Sequence, residues 1–140
     1  MEDAIKLLGS IAVTYVLALP LGWERKLKSE AYVGLRVFPL VAVGACVYVF
    51  LGRELFTGAD SNEQSDVIQG LMTGVGFIGA GAIIKQSDEV HGVATAAAIW
   101  TTGVIGAAVG YGYYVLAITI CVVSLLILDV TSRVVRRAER

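Results

Sequence analysis

The residues that could do chemistry in this sequence are few, and they stand at the edges of long apolar blocks. Glu24 and Arg25 follow the first block, and Arg36 stands near the start of the second. If those blocks form a helical hairpin, Glu24 and Arg36 arrive at similar depth. An ion pair there would offset the cost of charge near lipid; a loop ion pair or a contact with phospholipid headgroups would use the same side chains. Asp60, Glu63 and Asp66 place three carboxylates close together. Such a set suits a hard cation like Mg²⁺, which prefers carboxylates and keeps several of its waters. A solvated acidic loop is the preferred reading, so no metal site is assigned. His91 is the single histidine and has no partner at ligand spacing. Thr95, Thr101 and Thr102 fall on one helix, where hydroxyls are expected to bond to helix carbonyls. Glu24, Arg25, Arg36 and Thr95 make up the candidate polar site. The sequence offers no serine–histidine–acid arrangement and no His/Cys cluster, so it is read as a non-enzyme with no cofactor.

The elements that must hold these residues are membrane spans. Of the 140 residues, 56% are hydrophobic and 16% charged, against roughly 25% charged in soluble domains. The apolar residues come in blocks that one small soluble core could not bury. A net charge of −1 without a compact basic patch argues against nucleic acid as a partner; the lipid bilayer is the first partner implied. Cys46 and Cys121 lie inside apolar runs and read as small hydrophobes. The chain begins Met1-Glu2-Asp3, whereas a secretory signal begins with positive charge, so the first block is expected to be a retained helix.

Spanning takes roughly 17 to 25 apolar residues. Five runs reach or come close to this length, at about 4–23, 34–51, 67–84, 93–109 and 115–130. The expected fold is all-α: one polytopic membrane helix bundle over 1–140, with about five transmembrane helices. Pro20 should kink the first helix, and Pro39 should fall in or near the first turn of the second. Gly110 to Tyr114 reads as a tight turn with aromatic residues suited to a bilayer interface. With five helices, Arg25, Lys26, Lys28, Arg36, Lys85, Arg133, Arg136, Arg137 and Arg140 all fall on one side. Positive charge in short loops stays in the cytoplasm, so the N-terminus is expected outside and the C-terminus inside.

The third run is rich in glycine: Gly70, Gly74, Gly76, Gly79 and Gly81. At 100° per residue, Gly70, Gly74 and Gly81 share a stripe, with Gly76 and Gly79 roughly opposite. Small residues let helices approach closely in lipid, which predicts that helix three is central. Gly106 and Gly110 on helix four, with Ala94, Ala96, Ala97 and Ala98, offer a matching surface. The competing reading is that the glycines open the backbone at mid-membrane for an ion or solute.

Three segments carry a resemblance to a known family: LGWERK at Leu21–Lys26, GLR at Gly34–Arg36, and TGVGFIGAGAI at Thr73–Ile83 with HGVATAAAIW at His91–Trp100. Together they resemble the MgtC/SapB family of bacterial membrane proteins. There are departures. Val37 and Phe38 stand where the family usually has Thr-His, Gly92 to Ala97 differ from its Gly-Leu-Thr-Thr-Ala-Ala, and Glu63 to Asp66 replace its Asp-Pro-x-Arg. Longer members carry a cytoplasmic C-terminal domain, so this chain is expected to be a short member or a truncated one. The resemblance implies the bacterial inner membrane, adaptation to low magnesium and virulence-linked survival. It also implies binding to other membrane proteins, with the ATP synthase among the candidates; a homodimer is a further assembly considered.

Two function classes follow. The preferred one is a regulator that binds other membrane proteins through helix faces; the other is a small transporter or channel. A polar cavity at helix three would favour transport, and a solid bundle with an exposed small-residue groove would favour partner binding. The segments LGWERKLKSEAYVGLRVFPLVAVGA and AGAIIKQSDEVHGVATAAAIWTTGVIGA both read helix, charged loop, glycine, helix. They suggest parallel repeats, with Gly34 aligned to Gly92.

Overall fold

A computed structural model describes residues 1–28, 33–56, 61–86 and 89–138. Five helices account for most of them: α1 (Glu2–Lys28), α2 (Val33–Leu55), α3 (Ser61–Ala80), α4 (Val93–Gly110) and α5 (Tyr114–Ala138). A small antiparallel hairpin, β1 (Ile84–Gln86) and β2 (Glu89–His91), joins α3 to α4 and sets Ile84 opposite His91. Every helix the sequence predicts is present, and each is longer than its apolar run. The hydrogen-bonded ladder does not stop where the lipid-soluble side chains do, so α1 carries on through Glu24 and Arg25 to Lys28.

Among the described residues, four helices are long and apolar enough to cross a membrane: α1, α2, α4 and α5. The third differs from expectation. Its N-terminal turns, Ser61 to Asp66, are polar, and it ends at Ala80 instead of continuing to 84. The last bonds tighten, with Ala82 N–H on Gly79 O and Ile83 N–H on Ala80 O. The chain then leaves as β1. Even so, α3 runs between the same two ends as its neighbours. A Cβ on Gly52, near the end of α2, would lie 2.7 Å from Val67 of α3, and one on Gly79 of α3 would lie 3.1 Å from Ala96 O of α4.

The helices alternate in direction. Gly22 of α1 closes on Gly34 of α2, where a Cβ would lie 2.8 Å from Gly34 O. Gly106 and Gly110 of α4 close on Ala42 and Cys46 of α2, so these two helices run parallel. Cys121 Sγ of α5 reaches Leu17 O of α1 at 3.3 Å, and Ser10 Oγ bonds to the Tyr114 hydroxyl at 3.1 Å, so α1 and α5 also run parallel.

The expectation that helix three is central is overturned. The middle of the bundle is α4, which packs against each of the other four helices. More than half of its span is buried, against about a tenth of α5. Its buried residues include Ala98, Thr102, Gly103, Gly106 and Gly110. Their small side chains let α2 in close, and close approach is what holds helices together in lipid. Among the described side chains of α3, the Leu71, Val75 and Gly79 stripe is the buried one, and it faces α4. The core gathers Phe38, Cys46, Val49, Ile105 and Val109 around the α2–α4 seam. Large apolar side chains cover the outside, including Leu40, Val115, Leu126 and Ile127. Such a surface needs lipid against it.

Two turns need glycine. Gly92 precedes α4 with φ +85°, and a Cβ there would lie 1.9 Å from Ala82 O. Gly112 has φ +83° and closes α4, where Tyr113 N–H bonds to Ala108 O. Gly34, by contrast, is an ordinary helical residue inside α2. The alignment of Gly34 with Gly92 therefore joins two different backbone conformations. Pro39 also departs from expectation: it is the seventh residue of α2, well past the first turn.

Candidate partner groove and basic end

Glu24 and Arg25 lie in the last turns of α1, where the Gly22–Gly34 approach brings α1 and α2 together. The helices are antiparallel, so with Gly22 beside Gly34 the residues Glu24 and Arg36 fall on opposite sides of that contact, about 6 Å apart along the axis, and the expected pair does not form. Arg25 Nε donates to Glu24 Oε2, and both side chains are nearly buried, at 11% and 13% exposure. Arg36 is exposed and, among the described residues, has no ion-pair partner. The offset of about one helical turn, with Glu24 nearly buried and Arg36 exposed, keeps the two side chains apart.

Thr95 is half-buried in the first turn of α4, and the position four residues back is His91, in β2. No helix carbonyl stands there to receive its hydroxyl, so the expected bond is not made. Thr101 and Thr102 do bond back, to Ala97 O at 2.9 Å and Ala98 O at 2.7 Å. Asp60 lies outside the described residues. Glu63 and Asp66 are exposed near the start of α3. His91 is exposed on the hairpin, 3.4 Å from Glu89.

The predicted packing glycines divide into two groups. Gly106, Gly110 and Gly79 meet backbone of a neighbouring helix, as expected. Gly74 and Gly76 do not: a Cβ on either would meet nothing within 4 Å. Gly81 lies past the end of α3 and meets only the carbonyls of Phe77 and Ile78. At Gly70 the nearest atom is the tip of Tyr48, at 3.2 Å. The reason is rotational: α3 turns Leu71, Val75 and Gly79 to α4, which leaves Gly70 and Gly74 beside an open gap toward α2.

That gap is a groove of about 410 Å³. Gly70 and Gly74 form one wall with Val75 and Ile78, and Leu40, Gly44 and Tyr48 of α2 form the other. Gly44 is also bare, with nothing within 4 Å of a Cβ. The helix-four-residue spacing Leu40, Gly44, Tyr48 was visible in the sequence as a small residue between two large ones, and it could have located this second wall. The groove is apolar and faces outward. Inside the bundle, the buried hydroxyls of Thr14 and Thr102 bond to carbonyls of their own helices, at Ser10 O and Ala98 O.

At the far end of α2, Arg53 Nη1 donates to Gly110 O at 3.2 Å. A cation on the last carbonyls of α4 meets the negative end of the helix dipole. This contact fixes the ends of the two parallel helices to each other.

A family model described as "MgtC family" matches residues 11–137. The chain is similar to "Putative magnesium transporter YhiD" of Escherichia coli strain K12, 35% identical over 115 residues that cover 79% of this chain and 53% of that protein. It is similar to "Protein SrpB" of Synechococcus elongatus, 36% identical over 118 residues, 75% of this chain and 64% of that one. "Protein MgtC" of Brucella abortus is 35% identical over 102 residues, 73% of this chain and 41% of its own length. The chain thus spans about half the length of the curated relatives it matches. No solved structure matches it.

Proposed function

The chain belongs to the MgtC family of membrane proteins, and from that premise we propose that it regulates other membrane proteins by seating a partner helix in the α2–α3 groove. The observation that carries this reading is the pair of bare glycines, Gly44 and Gly74, facing each other across an apolar, outward-opening groove. Packing without a strong hydrophobic drive relies on such backbone access. The physiological setting is adaptation to low magnesium in the bacterial inner membrane. Among possible partners is the ATP synthase.

One observation favours transport: the relative from Escherichia coli bears the name "Putative magnesium transporter YhiD". Reconstitution separates the two readings. Purified protein in liposomes is expected to give no Mg²⁺ flux above empty vesicles. In cells, Gly74→Leu is expected to abolish the low-magnesium growth phenotype at matched expression, because its side chain fills the groove. Robust Mg²⁺ flux, together with a normal phenotype for Gly74→Leu, would replace regulation by transport.

We assign the basic end of the bundle to the cytoplasm, since Arg25, Lys85, Arg133 and Arg137 share it. Cysteines placed at Glu63 and Arg137 should then label from opposite sides of the membrane. Labelling of both from one side would refute this orientation.

A further inference from the structure

A second cavity, of about 610 Å³, lies between α4 and α5. Ala94, Ala97 and Thr101 of α4 form one wall, and Ser124, Ile127 and Leu128 of α5 form the other. Arg25 of α1 stands at one end and is held by Glu24. The cleft is therefore a neutral, mostly apolar space lined on the α4 side by small residues.

Trp100 stands beside this cleft, on the same helix, and is 46% exposed. Its depth is unusual. The central helix α4 runs from Val93 to Gly110, and Trp100 lies within about 2 Å of its midpoint along the axis. Tryptophan favours the bilayer interface, where the ring meets apolar chains and the N–H meets water. At mid-span there is no water, and the Trp100 N–H makes no hydrogen bond among the described residues. A bare donor in hydrocarbon costs free energy. One chain alone thus leaves a large ring and its donor without a seat.

The cleft offers such a seat at the same depth. Thr101 follows Trp100 directly, and Ser124 lies about as far from the turn at Gly112 as Thr101 does. Thr101 donates to Ala97 O and Ser124 to Ile120 O, and each hydroxyl oxygen keeps a lone pair that can accept. Trp100 is turned about 100° from Thr101 around α4 and does not line the cleft of its own chain. Between the ring and the cleft, Val93, Ala97 and Val104 share one stripe of α4. Val93 and Ala97 are exposed, and Val104 is half-buried.

We propose that two copies of this chain pair through the exposed face of α4, each seating Trp100 in the α4–α5 cleft of the other. Two copies inserted in the same sense are related by a two-fold axis along the membrane normal, and that axis preserves depth. An isologous contact needs a knob and a hole at one depth, on opposite sides of the axis. Trp100 and the cleft meet both conditions, with the Val93, Ala97 and Val104 stripe on the axis between them. Ala97 lets the two α4 helices approach closely there. Donor and acceptor are complementary as well: the indole N–H reaches a hydroxyl oxygen on the cleft wall, and both groups lie where water cannot serve them. Tryptophan seated in a pocket is a common anchor of protein interfaces. The contact is separate from the α2–α3 groove and does not depend on it.

Energy transfer between copies in phosphatidylethanolamine–phosphatidylglycerol liposomes tests the proposal. Donor and acceptor dyes are placed on Glu63→Cys, which is exposed, whereas Cys46 and Cys121 are buried. Transfer should rise with the protein-to-lipid ratio along a dimer isotherm. Trp100→Ala empties both seats and should weaken pairing about 1,000-fold. Trp100→Phe keeps most of the ring and removes only the donor, and should weaken it about ten-fold. Ala97→Leu, which adds bulk at an exposed position on the cleft wall, should weaken pairing as Trp100→Ala does while melting as the parent does. Gly74→Leu, in the other groove, should leave pairing unchanged. Transfer no greater than random collision at every ratio, as expected if lipid or another membrane protein fills the cleft, would overturn the assignment. So would a Trp100→Ala variant that pairs as the parent does, or a loss of pairing with Gly74→Leu alone.

Discussion

Gly106 of α4 and Gly74 of α3 are the same residue type in adjacent helices, but their surroundings are opposite. A Cβ on Gly106 would lie 2.1 Å from Ala42 O, inside the backbone of α2. A Cβ on Gly74 would meet nothing within 4 Å. The first glycine is a contact and the second is a vacancy. In lipid, where no hydrophobic effect drives helices together, close packing is the main attraction. The α2–α4 seam uses its glycines for that purpose and becomes the centre of the bundle. On α3, Gly70 and Gly74 leave surface bare beside α2, and the space is available to something else.

Substitutions can break this comparison, and the largest effect is expected in the seam. Gly106→Leu should prevent α2 and α4 from meeting and yield no monodisperse protein in detergent. The milder Gly106→Ala should cost about 3 kcal/mol, the upper end of overpacking, read as a fall in melting temperature. A variant as stable as the parent would mean that the seam is looser than the distances say. Gly92→Ala should come close to it. A left-handed backbone costs a side-chain-bearing residue roughly 1–2 kcal/mol, and the added Cβ would also strike Ala82 O. The expected readout is a lower melting temperature and faster proteolysis at the hairpin.

Arg53→Ala should cost less, about 1.5 kcal/mol for a charge-assisted bond, because the end carbonyls of α4 can turn to water. Thermal unfolding of Arg53→Ala and Arg53→Lys checks this, with Lys recovering part of the loss. The smallest stability effect is expected at Gly74. Gly74→Leu fills a gap and separates no backbones, so its stability should stay within about 0.5 kcal/mol of the parent. A loss as large as that of Gly106→Ala would place α3 back in the core and undo the contrast.

The candidate polar site was legible in part. That Glu24 and Arg36 lie toward the same end of one hairpin could be read from two apolar blocks joined by a short loop, but the Gly22–Gly34 approach offsets them by about one helical turn. The pairing could not be read. It depends on the register of the two helices and on the angles of the side chains about them, and α1 turns Glu24 and Arg25 inward while α2 leaves Arg36 exposed. Thr95 was placed correctly on α4, but its missing bond depends on the hairpin, which appeared in the sequence only as a polar loop.

The sequence by itself determined the membrane, the five helices and the gathering of basic residues at one end. These follow from block length, hydropathy and helix parity, which are properties of the chain taken one segment at a time. It also carried the family, through segments whose order along the chain is preserved. Only the tertiary structure decided which helix is the centre, which glycines are contacts and where the open grooves lie. Glycine presents no side chain and therefore no direction of its own. Whether it admits a neighbour or leaves a gap is settled by the rotation of the helix, and the larger residues set that rotation. On α3, Leu71 and Val75 turn to α4 and leave Gly70 and Gly74 open toward α2.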